Sequence, residues 1–360
     1  MWIEVLIVLI KVLFFITFVL TLTSLLTWQE RKQSAVMQDR LGANRAQIFG
    51  IRAFGLMHIF SDALKMFFKE DYVPPGGDKV LHTAAPIISL FFALMTFAAI
   101  PFGDTLWVAG RTVELQILPL NVGILFIFAM MSLAVYGTFL AGFSSNNKYS
   151  FLGGLRASSQ MFSYEITMGA TLVGLLMIFG TLDLAEINRA QGGLLWGWLP
   201  KWGIILQPLG FVLFVTAGMA ETKRIPFDLP EGESEIVGYF LEYSSMKFGA
   251  FFMGDFIETI LIAALITTLF FGGWQVPYLF TDGFHLPWGS FFSLPHLLVV
   301  LLQFAAFAVK VFFFCWFLLL IRWTLPRFRY DQLMRLGWKF MLPISVLNIF
   351  VTALILLWIK

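Results

Sequence analysis

The chain has 360 residues, of which 59% are hydrophobic and only 13% charged, with a net charge of +2 and a mean hydropathy of +0.83. An average soluble domain is about 25% charged, so this balance excludes an ordinary water-soluble fold and makes lipid the natural solvent. The net charge is too small to suggest a nucleic-acid partner, and the single cysteine, Cys315, can form no internal disulfide and cannot alone hold an iron–sulfur cluster or a structural zinc.

Apolar runs of about 17–25 residues read as membrane-crossing helices. Eight follow in chain order, over 3–28, 84–102, 117–143, 159–180, 203–220, 249–272, 297–321 and 340–359. The first begins with Glu4 ahead of Lys11 and has no small-residue cleavage site, so it reads as a retained span. The connection from 29 to 83 is too long for a plain turn. Across 54–69, Leu56, Ile59, Phe60, Ala63, Leu64 and Phe67 recur at helical spacing, with His58, Asp62, Lys65 and Lys69 on the other side. That division predicts an amphipathic helix at the cytoplasmic surface, lying on lipid or packed on protein. Neither a repeat nor a low-complexity linker interrupts the chain, so 1–360 reads as one membrane domain, an all-α polytopic membrane protein.

Orientation follows from lysine and arginine. The connections after spans 1, 3, 5 and 7 hold eighteen of them, while the opposite connections and the C-terminus hold Arg111, Arg189, Lys201 and Lys360. Basic loops resist translocation, which puts the first set in the cytoplasm and both termini outside, in a bacterium the periplasm. Without an organellar targeting segment, a bacterial inner membrane is the expected location.

Glu165, Asp255, Glu258 and Lys310 fall within spans, where a charge costs roughly 2.5–3.5 kcal/mol even on lenient scales. Such groups should face one another inside the bundle, as a proton relay or as structural ion pairs. Lys310, more than ten residues from either end of its run, should take a carboxylate partner among Glu165, Asp255 and Glu258. Between spans 5 and 6, Glu221, Asp228, Glu231, Glu233, Glu235 and Glu242 crowd around Lys223, Arg224 and Lys247. Pro226, Phe227, Leu229, Pro230, Ile236, Tyr239 and Phe240 are interleaved with them, enough apolar mass to pack the loop, and packed carboxylates titrate as a coupled set. His58, His82, His285 and His296 show no ligand spacing, and no Gly-rich phosphate loop follows a strand. Nucleotide, flavin or metal redox chemistry is therefore expected on other chains, and no metal site on this one.

Five stretches carry a resemblance: QERKQSAVMQDRLGANR (29–45), SDALKMFFKED (61–71), SNNKYSFLGGLRASSQMFSYE (145–165), AETKRIPFDLPEGESEIVGYFLEYSSMKFG (220–249) and RWTLPRFRYDQLMRLGWK (322–339). In this order they resemble the H-type membrane subunits of proton-pumping NADH:quinone oxidoreductase, respiratory complex I, over essentially the whole chain. One departure is Ala43, in a stretch, Gly42 to Arg45, where the family usually has proline.

The resemblance implies one component of a many-chain, proton-translocating NADH:quinone reductase, with no redox centre of its own. Such a component anchors the peripheral arm and forms with it the chamber for a lipophilic quinone, ubiquinone or menaquinone, entered between span 1, the surface helix and span 6. By similarity Glu30, Arg31, Asp62, Arg224, Arg322 and Arg327 lie on or near that chamber. Glu165, Glu221, Asp228, Glu231, Glu233, Glu235, Glu242, Asp255 and Lys310, flanked by Arg156, resemble the start of a charged proton pathway. Implied partners are peripheral subunits of the B, C/D and I types, which carry iron–sulfur clusters and the quinone site, together with small membrane and antiporter-like subunits. FMN, NADH and the clusters would sit only on partners. Spans 2 to 6 would echo half of an antiporter fold. Two other readings fit part of the pattern: the membrane subunit of an energy-converting hydrogenase or formate hydrogenlyase, and an autonomous secondary transporter. The full acidic loop and the ERK and RFRYDQ motifs favour the quinone enzyme, and the paired broken helices of a transporter are not evident.

Overall fold

Apolar sequence in lipid must satisfy its backbone internally, and helices do so. The computed structural model describes every residue except Met1, Ala109, Trp196, 230–235, Val237, 286–290 and Lys360. In chain order the helices are α1 (Trp2–Met37), α2 (Met57–Phe68), α3 (Lys79–Met95), α4 (Gly123–Ser144), α5 (Lys148–Phe179), α6 (Leu184–Gln191), α7 (Gly203–Leu206), α8 (Pro208–Glu221), α9 (Ser245–Phe270), α10 (His296–Thr324), α11 (Tyr330–Arg335) and α12 (Leu342–Ile359). Among the described residues, seven segments are long and apolar enough to cross a membrane. They match seven of the eight expected spans.

The fifth span departs from expectation. Instead of one helix over 203–220, the chain forms α7 and α8 with a break at Gln207 (φ −140°, ψ 65°). Pro208 supplies the cause: it lacks an N–H and pushes the preceding residue out of the helical region. The Gln207 side chain is buried at the break, donating to Thr352 Oγ1 (2.6 Å) and accepting from Asn348 Nδ2 (2.8 Å), so that α12 is tied to the interruption.

Helix α1 has 36 residues, or about 54 Å at 1.5 Å per residue, well beyond the roughly 30 Å hydrocarbon layer. Its last turns carry Glu30 and Arg31 past the end expected at 28. Helix α9 is the centre of the bundle: 78% of its most apolar window is buried, against 17% for α1 and 22% for the segment running into α12. Helices α3 and α4 approach closely at Gly137, where a Cβ would come within 2.7 Å of the Ser89 nitrogen and 2.9 Å of the Ala85 oxygen. Small residues permit such approach in lipid, where packing replaces the hydrophobic drive.

Short antiparallel strands, which composition did not suggest, decorate the connections opposite the basic loops. They are β1 (Thr105–Val108) with β2 (Arg111–Glu114), β3 (Leu194–Leu195) with β4 (Leu199–Pro200), and a three-stranded set of β5 (Leu279–Phe280), β6 (Gly283–His285) and β7 (Phe291–Ser293). The surface helix is present as α2. Its Phe60, Leu64 and Phe67 are exposed, as a face lying on lipid requires, while Asp62 and Met66 turn toward the bundle.

Candidate functional site

Two features meet at α9. The first is a cleft of about 500 Å³ between α1, α2 and α9, lined by Thr27, Arg31, Asp62, Met66, Phe248 and Phe252 among others. Its walls are largely apolar, and Arg31 and Asp62 form an ion pair at 2.6 Å. Consecutive helical residues point about 100° apart, so Glu30 faces elsewhere: it accepts from Arg224 at 3.1 Å and from Arg322 at 2.5 Å, joining α1, the loop after α8 and α10. The Arg224 guanidinium also lies 4.0 Å from the centre of the Phe256 ring, a favourable cation–π distance. Arg327 pairs with Asp228 at 2.9 Å, beside the stacked rings of Phe227 and Phe328. The six residues expected on the chamber thus fall into three ion-paired groups, and of the six Arg31 and Asp62 line the cleft.

The second feature is a line of carboxylates inside the bundle, of which Glu221 and Glu258 are buried and Glu165 and Asp255 partly so. Glu165 on α5 accepts a 2.5 Å hydrogen bond from Ser132 on α4. Glu221, at the end of α8, is 1% exposed and neither of its oxygens has a hydrogen-bond partner. A cavity of about 10 Å³ separates it from Glu258 of α9, lined also by Thr96, Met131 and Met161. Asp255 and Glu258 both face Lys223, at 3.1 Å and 3.4 Å. Burial lowers the affinity of the Lys223 ammonium for its proton, but the two carboxylates outweigh that and hold it well above the ordinary 10.5.

This corrects the expectation for Lys310. Its ammonium donates to the carbonyls of Phe271 (2.8 Å), Gly273 (3.0 Å) and Gln275 (2.7 Å), and lies 5.0 Å over the Trp202 ring. The chain turns away from α9 after Phe270, and Lys310 serves the carbonyls of that turn in place of a carboxylate. The cation that does pair with Asp255 and Glu258 is Lys223, which the sequence reading took only as a charge flanking the acidic loop. No spacing signal could have found it, since a gap of more than thirty residues is bridged by folding alone.

The rest of the loop is anchored on both sides. Gln160 donates to the carbonyls of Ala220 and Phe227, each at 2.7 Å, fixing the loop's start. At its end Glu242 accepts from Asn147 (2.7 Å), Tyr243 stacks on the buried His82 with ring centroids 3.9 Å apart, and Lys247 pairs with Asp71 at 2.9 Å. Burial pushes the Tyr243 hydroxyl up to about 12, against a smaller opposing effect of its hydrogen bond with Ser144. Arg156 lies 5.4 Å over the Tyr330 ring. Glu231, Glu233 and Glu235 lie outside the described residues.

A family model described as NADH dehydrogenase matches residues 10–353. The chain belongs to the NADH dehydrogenase family. Its relatives in the family include an H-type NADH-quinone oxidoreductase subunit of Geobacter metallireducens, 44% identical over 97% of this chain and 95% of the relative. The protein of the same name from Cytophaga hutchinsonii is 41% identical over 96% and 95%. The H-type NADH-quinone oxidoreductase subunit of Thermomicrobium roseum is 42% identical over 94% and 93%.

Proposed function

We propose that the chain is the H-type component of a NADH:quinone oxidoreductase, a membrane subunit that forms the quinone chamber with the peripheral arm and couples quinone reduction to proton translocation. The observation that carries this reading is the double use of α9. The helix offers Phe248, Phe252 and Met253 to the cleft, and two residues beyond Met253 it offers Asp255, then Glu258, to the buried cation Lys223. A lipophilic quinone needs an apolar passage for its tail and a polar end for its head. The cleft supplies the passage, Arg31 and Asp62 its polar lining, and the Glu30, Arg224, Arg322 and Arg327 groups the cationic surroundings. Quinone reduction changes charge locally, and buried carboxylates in mutual electrostatic contact respond by moving protons. Asp228, Glu242, Asp255, Glu221 and Glu165, with Glu231, Glu233 and Glu235, make up that route, adjoined by Arg156 and Lys310.

The quinone is substrate. NADH, FMN and iron–sulfur clusters belong to peripheral partners of the B, C/D and I types, and the proton route continues into small membrane and antiporter-like subunits. The chain lies in a bacterial inner membrane with both termini periplasmic. Affinity purification of a tagged copy from native membrane tests the reading. Flavin-containing NADH dehydrogenase subunits should copurify, with quinone reductase activity. A nickel–iron hydrogenase subunit in their place, or a solitary chain, would contradict it.

A further inference from the structure

Three carboxyls and one ammonium share the interior between α8 and α9. Lys223, 2% exposed, follows α8 by two residues, at φ 53°, and faces Asp255 and Glu258. The Tyr239 ring is 5.9 Å from its nitrogen. Glu221 lacks any hydrogen-bond partner and meets Glu258 across a cavity with room for about one water. Of the other charges acting on these groups, Arg224 shares the single Glu30 carboxylate with Arg322, which leaves that group one net positive charge, and Glu165, partly exposed and held by Ser132, is a carboxyl of the opposite sign.

Unbalanced charge is costly in such an interior, and buried groups neutralise by binding or releasing protons. With all four groups ionised the set would carry one positive and three negative charges. We propose that Lys223 fixes the number of protons stored by Glu221, Asp255 and Glu258, making the four a storage site that is neutral with two protons bound. Lys223 is a positioning residue in this account: it touches no quinone and acts through the carboxyls. The site loads or unloads one proton whenever an outside charge tips that balance, and the Glu221–Glu258 cavity is the gap the proton crosses. The proposal rests on the buried carboxylates being the proton route, and specifies which of them store and what sets the count.

The test is infrared spectroscopy of the protonated-carboxyl stretch in the purified whole complex, comparing Lys223→Met, Lys223→Arg, Glu258→Gln and the double variant Lys223→Met with Glu258→Gln. Removing the cation should add one protonated carboxyl, arginine should add none, and Glu258→Gln alone should lose one. The double variant should return to the wild-type number. An unchanged band in Lys223→Met overturns the proposal. Should Lys223→Met fail to assemble, rescue of assembly by Glu258→Gln supports the charge balance, and failure of that rescue shows lost packing and overturns it. Band changes as counted, together with normal pumping in Glu258→Gln, would support the charge count while removing the cluster from the proton route.

Discussion

Motif matches single out Arg31 and Asp62, and the structure joins them at 2.6 Å inside the cleft. Their side chains are 44% and 27% exposed, so the pair contributes at most about 1 kcal/mol to folding, and its loss should be felt by the ligand. Arg31→Ala and Asp62→Ala should assemble normally and raise the apparent quinone KM about tenfold or more, the effect of a lost charge-assisted contact of roughly 1.5–3 kcal/mol. Steady-state kinetics with wild-type KM in both variants would remove them from the chamber. The partner of Lys310 was not legible, because depth in a span announces that a charge must be satisfied and not by what. The carbonyls of the turn after α9 were invisible until α9 had an end. Lys223 gives a pH prediction with a definite sign. A cation whose folded value is raised contributes in full below its ordinary 10.5, and that contribution is lost only as pH rises through the higher folded value. The melting-temperature gap between wild type and Lys223→Gln should therefore not narrow between about pH 7 and about pH 10. A gap that closes within that range would show that the ammonium is not held by its carboxylates.

At the scale of elements, hydropathy located seven helices because lipid imposes one length on every crossing. It missed the break at Gln207, since Pro208 lies inside an apolar run and hydropathy averages over it. It also missed the short strands, whose pairing is set by contacts outside the membrane. The break makes Gln207 a link between elements: Gln207→Leu removes both hydrogen bonds to α12, and intramembrane bonds of this kind contribute about 0.6–2 kcal/mol each. Thermal unfolding should show that loss with quinone affinity unchanged; an unaltered melting temperature would mean that the bonds do not hold α12. The α3–α4 contact is more demanding. Gly137→Ala places a methyl within 3 Å of backbone atoms of α3, so the helices must separate, at about 1–3 kcal/mol for overpacking. A melting temperature equal to wild type would show that the interface yields freely.

For the whole molecule, the excess of basic residues on alternate connections predicts which side each faces. The native Cys315 is buried, so single cysteines can be introduced on a silent background. A cysteine at Gln332 should react with an impermeant thiol reagent only from the cytoplasm, and one at Thr281 only from outside; the reverse pattern would invert the topology. The division of the molecule into a cleft and a line of carboxylates inside the bundle sharing α9 was only half legible. The motifs and the charges within spans singled out the residues, but the sequence could not show that one helix serves both features, nor that Glu221 would be left without a hydrogen bond. In the proposed function, that shared helix is the physical basis for coupling. Its most direct test is proton translocation measured against NADH oxidation in liposomes carrying the complex with Glu221→Gln, which keeps side-chain shape and removes the titration. The account predicts that oxidation of NADH by an artificial acceptor is preserved, while quinone reduction and proton translocation fall together by about tenfold or more, as expected when a perturbed functional-site carboxyl is removed. Wild-type quinone turnover with an unchanged proton-to-electron ratio would contradict it.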